Sequence, residues 1–128
     1  MLSHVSIGVT DVARVRAFYD AVLAPLDVDL KFGGDDHAGY GPVTTPAPMF
    51  WVLLPFDDEP ATVGNGTHVA FLAPSRKGVD ALHRLALEHG GKDEDVQGLR
   101  PHYHEHYCSA YVRDLDGNKL QTHCHQPE

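Results

Sequence analysis

The segment RPHYHEHY, Arg100 to Tyr107, sets His102, His104 and His106 at every second position and interleaves Tyr103, Glu105 and Tyr107. Imidazole can ligate a metal, move a proton or, once protonated, bind an anion near neutral pH. In a strand, alternate residues share a face and lie roughly 6.6 Å apart, so the three histidines would point one way and the two tyrosines the other. Two histidines so spaced can hold a zinc ion at about 2.0–2.1 Å when a neighbouring strand brings a third ligand. His123 is the candidate for that third ligand, because Gln121, His123 and His125 alternate on one face of the last strand. The segment follows Gly98 and contains Pro101, so it also reads as a loop at the mouth of a site. There Arg100 would clamp a carboxylate or phosphate in bidentate fashion and His102 and His104 would add donors. Tyr103, Tyr107 and Tyr111 would supply aromatic walls. A solvated loop without function is the third reading.

Other chemistry-bearing residues are weighed in the same way. Trp51, the single tryptophan, reads as a core aromatic or as a stacking platform for a planar ligand. His37 and Tyr40, in HAGYG, read as a mobile hairpin edge, and His83 and His89 as solvated residues on the polar side of a helix. The C-terminal HCHQPE has the composition to pick up nickel or zinc adventitiously. Cys108 and Cys124 lack C-x-x-C spacing and read as packing thiols of a cytosolic protein.

The bulk composition narrows the partners. The 128 residues, 42% hydrophobic, carry a net charge of −8, which argues against nucleic acid or an anionic membrane surface as partner. No apolar run approaches the roughly 20 residues of a membrane span, and MLSHVSIGV lacks the features of a signal peptide. A cytoplasmic protein acting on a small molecule is the expectation, with Arg100 and its histidines as a local cationic patch that favours an anionic or aromatic one.

The elements that must position these residues are written twice. HVSIGV at His4 returns as HVAFLA at His68, 64 positions later, half the chain. Asp11 then falls on Ser75, Val15 on Val79, Ala17 on Ala81, Phe18 on Leu82 and Leu23 on Leu87. Asp11 and Ser75 are N-cap types that follow strand-like runs. Val12, Val15, Phe18, Tyr19, Val22 and Leu23 form the apolar stripe of a first helix stopped by Pro25. Val79, Leu82, Leu85 and Ala86 form that of a second, capped by Gly90 and Gly91. Three β-type segments follow each helix, the last two joined through the hairpin signal DLDGN, Asp114 to Asn118. The reading is one α+β domain over residues 1–128, with a βαβββ module over about 1–60 and another over about 65–125.

HVSIGVTDVARVRAFYDAVLAPL, GTHVAF and RDLDGNKLQ, in that doubled order, resemble the vicinal oxygen chelate superfamily of glyoxalase I, bleomycin-resistance proteins and extradiol dioxygenases. The resemblance implies two βαβββ modules forming a curved, cup-like mixed sheet with helices outside, often completed in a homodimer. It implies a divalent metal (Zn, Ni, Mn or Fe) at the floor of the cup, ligated from the first and last strands of each module, and no organic cofactor.

Carried over by residue, His4 and His68 match the two first-strand histidines. Gln121 stands where a last-strand glutamate is common, and the first-module counterpart falls near Phe50 or Trp51. An amide is a poorer ligand than carboxylate for a hard cation, and an aromatic side chain is none. The family's ligating carboxylates also serve as bases, so no catalytic residue can be assigned. Two functions stay open: a metal-dependent lyase, isomerase or dioxygenase with a degenerate site at His4, His68 and Gln121, with His123 as a supplement, or a metal-free resistance or sequestration protein using Trp51, Arg100, His102, His104 and the tyrosines. The histidine run lies outside the family's metal positions and then reads as a lip over the cup.

Overall fold

The computed structural model describes residues 1–99 and 108–125. β1 (Val5–Gly8) leads into α1 (Val12–Leu23), and a 3-10 turn, Ala24–Leu26, carries the chain past Pro25. β2 (Val28–Gly33), β3 (His37–Pro42) and β4 (Phe50–Leu53) complete the first module. The second repeats the order with β5 (His68–Leu72), α2 (Arg76–Glu88), β6 (Lys92–Leu99), β7 (Cys108–Arg113) and β8 (Lys119–Cys124). Both helices start as their sequences direct. The Asp11 carboxylate accepts from the Arg14 N–H at 3.1 Å and the Ser75 hydroxyl from the Gly78 N–H at 3.3 Å, satisfying backbone donors that have no partner inside the helix. At the far end of α2, Gly90 takes φ 95°, and the Gly91 N–H reaches back to the Ala86 carbonyl at 2.8 Å.

The strands form two four-stranded mixed sheets with the same order, β1-β4-β3-β2 and β5-β8-β7-β6. In each, the first strand runs parallel to the last strand of its module and the other pairs are antiparallel. Register shifts in β2 and β6 mark irregular pairing towards the outer edge of each sheet, and such bulges bend and twist a strand.

Alternation along the strands assigns the two faces. One face of the first sheet carries Ile7, Phe50, Val52, Ala38 and Tyr40, all buried under α1. In the second sheet Leu120, Cys124, Ala110 and Val112 are buried on the side that α2 covers. The helices also pack on each other, and the apolar stripe of α1 is buried throughout. In α2 Val79, Leu82 and Ala86 are buried and Leu85 is half-buried. Among the described residues no helix covers the opposite faces of the two sheets, and the side chains there define the site.

A polar clasp joins the modules. Tyr19, on α1, donates to Asp114 Oδ2 at 2.6 Å, and Asn118 donates to the Gly8 carbonyl at 3.0 Å. Asp116 accepts from both the backbone N–H and the hydroxyl of Thr10. The DLDGN segment is indeed a tight turn, with Gly117 at φ 92°, and it also ties β7 and β8 to the start of α1. His83 corrects the sequence reading: its Nε2 lies 2.9 Å from Asp93 Oδ1 and its side chain is only 11% exposed, because α2 packs on β6 and the ring bridges the two elements.

Candidate functional site

Register identifies the equivalent positions of the two modules. In the second, His68 pairs with Lys119 and Ala70 with Gln121. In the first, Ser6 pairs with Trp51, and His4 stands two residues before Ser6. Trp51 is therefore the counterpart of Gln121, while Phe50 faces the core at 4% exposure. His4 and His68 are both exposed at the entry of their strands, and Gln121 is buried in β8. The four positions where the resemblance places metal ligands thus offer two imidazoles, one amide and one indole. Among the described residues, no three His, Cys, Asp or Glu side chains converge as a metal-binding group. With no carboxylate in the set, these residues do not fit a hard divalent cation held as a catalytic centre, nor is a general base placed beside it.

What replaces the carboxylate in the first module is an aromatic cluster. Trp51 is half-buried on the open face of β4, so it is not a core residue. Its six-membered ring lies across Gly39 of β3: a Cβ added to that glycine would meet three ring carbons at 2.8 to 2.9 Å. Real Cβ contacts do not come that close, so glycine is what lets the indole lie flat on the neighbouring strand. Phe32 and His37 lie beside it as a pair, their ring centroids 6.0 and 5.6 Å from Trp51, and they stack on each other at 4.9 Å with planes 18° apart. Asp36 holds the His37 ring by a hydrogen bond between Oδ1 and Nδ1. The hairpin edge expected at His37 is thus one wall of the cluster. Tyr40, two strand positions beyond Ala38, is a core residue whose hydroxyl donates to Asp20 at 2.9 Å.

The open face of the second sheet is polar. Tyr111 pairs with Gln121 in register, and its ring meets His68 edge-on at 5.9 Å. Lys119 places its ammonium 4.8 Å from the centre of the same ring. Arg113, the register partner of Lys119, donates to the Gly117 carbonyl at 3.0 Å and to Glu94 at 2.8 Å. That bond holds the Glu94 carboxyl below its usual range and raises the guanidinium of Arg113. His123 lies on this face two positions beyond Gln121 and contacts His125 at 4.6 Å.

The structure therefore brings together His68, Gln121 and Tyr111, and sets Trp51 apart on the other sheet. Arg100, His102, Tyr103, His104, His106 and Tyr107 lie outside the described residues. Phe32, His37, Lys119 and Arg113 were missed as site residues. Alternation could have found the last two, since Lys119 shares parity with Gln121 and Arg113 with Tyr111.

Comparison with known proteins agrees with this architecture. The model of the glyoxalase/bleomycin resistance protein/dioxygenase superfamily matches residues 1–122. A crystal structure of a glyoxalase/bleomycin resistance protein from Albidiferax ferrireducens T118 is 34% identical, with 97% of this chain and 98% of that one covered and a TM-score of 0.85. At the level of fold alone, a glyoxalase-related enzyme from Fulvimarina pelagi is similar at 17% identity, 97% and 87% coverage and a TM-score of 0.73. A lactoylglutathione lyase from Agrobacterium tumefaciens is similar at 19% identity, 97% and 92% coverage and a TM-score of 0.64. A search of curated proteins found no match. With matching sequence over nearly its whole length and the doubled βαβββ order, this chain belongs to the glyoxalase/bleomycin resistance protein/dioxygenase superfamily.

Proposed function

We propose that this chain is a small-molecule binding protein of the resistance or sequestration type, acting in the cytoplasm as a homodimer, whose open face takes up a planar ligand without a resident metal. The observation that carries this reading is Trp51. It occupies the position equivalent to Gln121, where the family commonly has a carboxylate, and its six-membered ring lies over Gly39 beside the stacked Phe32 and His37 rings. A half-buried indole beside two neighbouring rings offers a planar ligand stacking worth about 0.5–1.5 kcal/mol beyond buried area. His37, kept in place by Asp36, has a second ring nitrogen to offer a polar ligand edge.

The test uses the single tryptophan as reporter. Planar aromatic carboxylates and planar aromatic drugs titrated into tag-free protein should quench Trp51 emission saturably, and Trp51→Phe should remove the signal while retaining binding measured by calorimetry. A panel that leaves the emission unchanged counts against the reading.

The metal-dependent alternative, a lyase, isomerase or dioxygenase on His4, His68 and Gln121, draws support from one observation: both imidazoles stand exposed at equivalent strand entries. It requires tag-free protein to hold stoichiometric zinc, nickel, manganese or iron, and His4→Ala and His68→Ala to lose it.

A further inference from the structure

We propose that the row His68, Lys119 and Arg113, roofed by the loop from Val63 to Thr67, is a binding site for a small oxyanion, a carboxylate or a phosphate group. It lies on the second sheet and does not depend on the Trp51 platform. The three residues are register partners on β5, β8 and β7, in one line across the open face. Neighbouring strands lie roughly 4.8 Å apart, so the row spans about 10 Å with Lys119 at its centre. A cavity of about 400 Å³ opens over it, lined by all three side chains and by the loop.

The charges in the row are not equivalent. Arg113 is already matched by Glu94 and fixed by the Gly117 carbonyl, so it acts as a rigid wall. Lys119 rests on the Tyr111 ring, and among the described residues no carboxylate lies within ion-pair distance of it. Its ammonium is therefore the net positive charge of the cavity in a chain of net charge −8. The flanking groups are donors that suit an oxyanion: the Asn65 amide, the Thr67 hydroxyl and the His68 ring.

The loop is shaped for close approach. Gly64 and Gly66 adopt φ 71° and 90°, and the Thr67 N–H closes a turn onto the Gly64 carbonyl at 3.1 Å. At Gly64 a Cβ would meet the Thr67 hydroxyl oxygen at 2.8 Å, so a side chain there would displace one of the donors. Glu94 is an acidic group beside the row; Arg113 holds it by a hydrogen bond at 2.8 Å, and Lys119 attracts it only at longer range.

The probes are inorganic phosphate and acetate, titrated into the full chain at an ionic strength held constant with sodium chloride and followed by backbone amide shifts. Saturable shifts confined to residues 63–68 and 111–119 are expected, with dissociation constants in the millimolar range of a single exposed ion contact, about 1 mM or weaker. Lys119→Gln should weaken binding about tenfold and Lys119→Arg should restore it, while Asn65→Ala, in an exposed loop, should weaken it a few-fold. Preference for phosphate would assign the site to phosphorylated ligands, and equal or better binding of acetate to carboxylates. Shifts that chloride alone reproduces, or a Lys119→Gln variant that binds both anions as the parent does, would overturn the proposal.

Discussion

At the scale of single residues, the most informative contact is the one between Gly39 and Trp51. A methyl group at position 39 would sit 2.8 to 2.9 Å from the indole, and the side chain, half-buried and on an open face, has room to lift rather than break the sheet. Gly39→Ala should therefore shift Trp51 emission and weaken planar ligands more than tenfold, while costing about 1 kcal/mol of stability in urea unfolding. Unchanged emission would show that the ring is not seated on β3. Two buried phenols make a second prediction. Tyr19 is held well above the ordinary range by burial first and then by Asp114, and Tyr40 by burial and its bond to Asp20. A folded-state value above the unfolded one gives stability that is fully present below about pH 10. It is lost as pH rises further, because the unfolded chain ionises first. Stability should fall by about 1.4 kcal/mol per pH unit for each phenol, and Tyr19→Phe should flatten that slope. Of these residues, the core role of Tyr19 was legible from helical spacing. The role of His37 was not, because the two glycines after it read as looseness when Gly39 is the seat for the ring directly opposite on the next strand.

At the scale of elements, most of the architecture could be read from the repeat. Cap, stripe and stop signals recur in the same order after His4 and His68, and both helices begin at the caps those signals name. What periodicity could not show is how the modules hold each other, since those bonds join residues far apart in sequence. Asn118 illustrates this. In sequence it is a turn residue, yet its side chain donates to both the Gly8 carbonyl and Asp114 Oδ2, while Asp114 also takes the Tyr19 hydroxyl. Asn118→Ala removes two hydrogen bonds from a partly buried network and takes the side-chain donor from the Gly8 carbonyl, while Asp114 Oδ2 keeps the Tyr19 hydroxyl, so a loss of about 2 kcal/mol is expected in urea unfolding. Tyr19→Phe should cost less, about 1 kcal/mol, because Asp114 Oδ2 retains the Asn118 amide. Equal costs would mean that the tyrosine hydroxyl contributes as much to the clasp as the Asn118 amide. The same separation in sequence hid the place of His68 in the row at Lys119, whereas Arg113 stands just across the hairpin turn from it.

At the scale of the whole molecule, the two open faces belong to separate sheets, and each sheet ends in its module's first strand, β1 or β5. Edge strands present unpaired backbone groups, and a folded protein covers or blunts them. β5 does neither within the described residues: Leu72 is 65% exposed there, and Met49, beside β4, is 46% exposed. Both line an apolar cavity of about 360 Å³ between the modules, together with Val5, Phe50, Val69 and Phe71. Apolar side chains gathered at a cavity mouth next to a free strand edge mark an interaction surface more than scattered exposure does. A two-fold related copy would present the same surface in return, as a closed dimer interface requires. The proposed homodimer should therefore sediment at micromolar concentration with twice the 14.0 kDa mass of the chain. Leu72→Glu, which puts a charge into that surface without touching the helix-covered core, should shift it to monomer while circular dichroism stays unchanged. If Trp51 ligands then bind the monomer as tightly as the parent, each cup is complete within one chain. Binding lost together with the dimer would mean that the ligand is enclosed between two copies, with the aromatic sheet of one facing the polar sheet of the other.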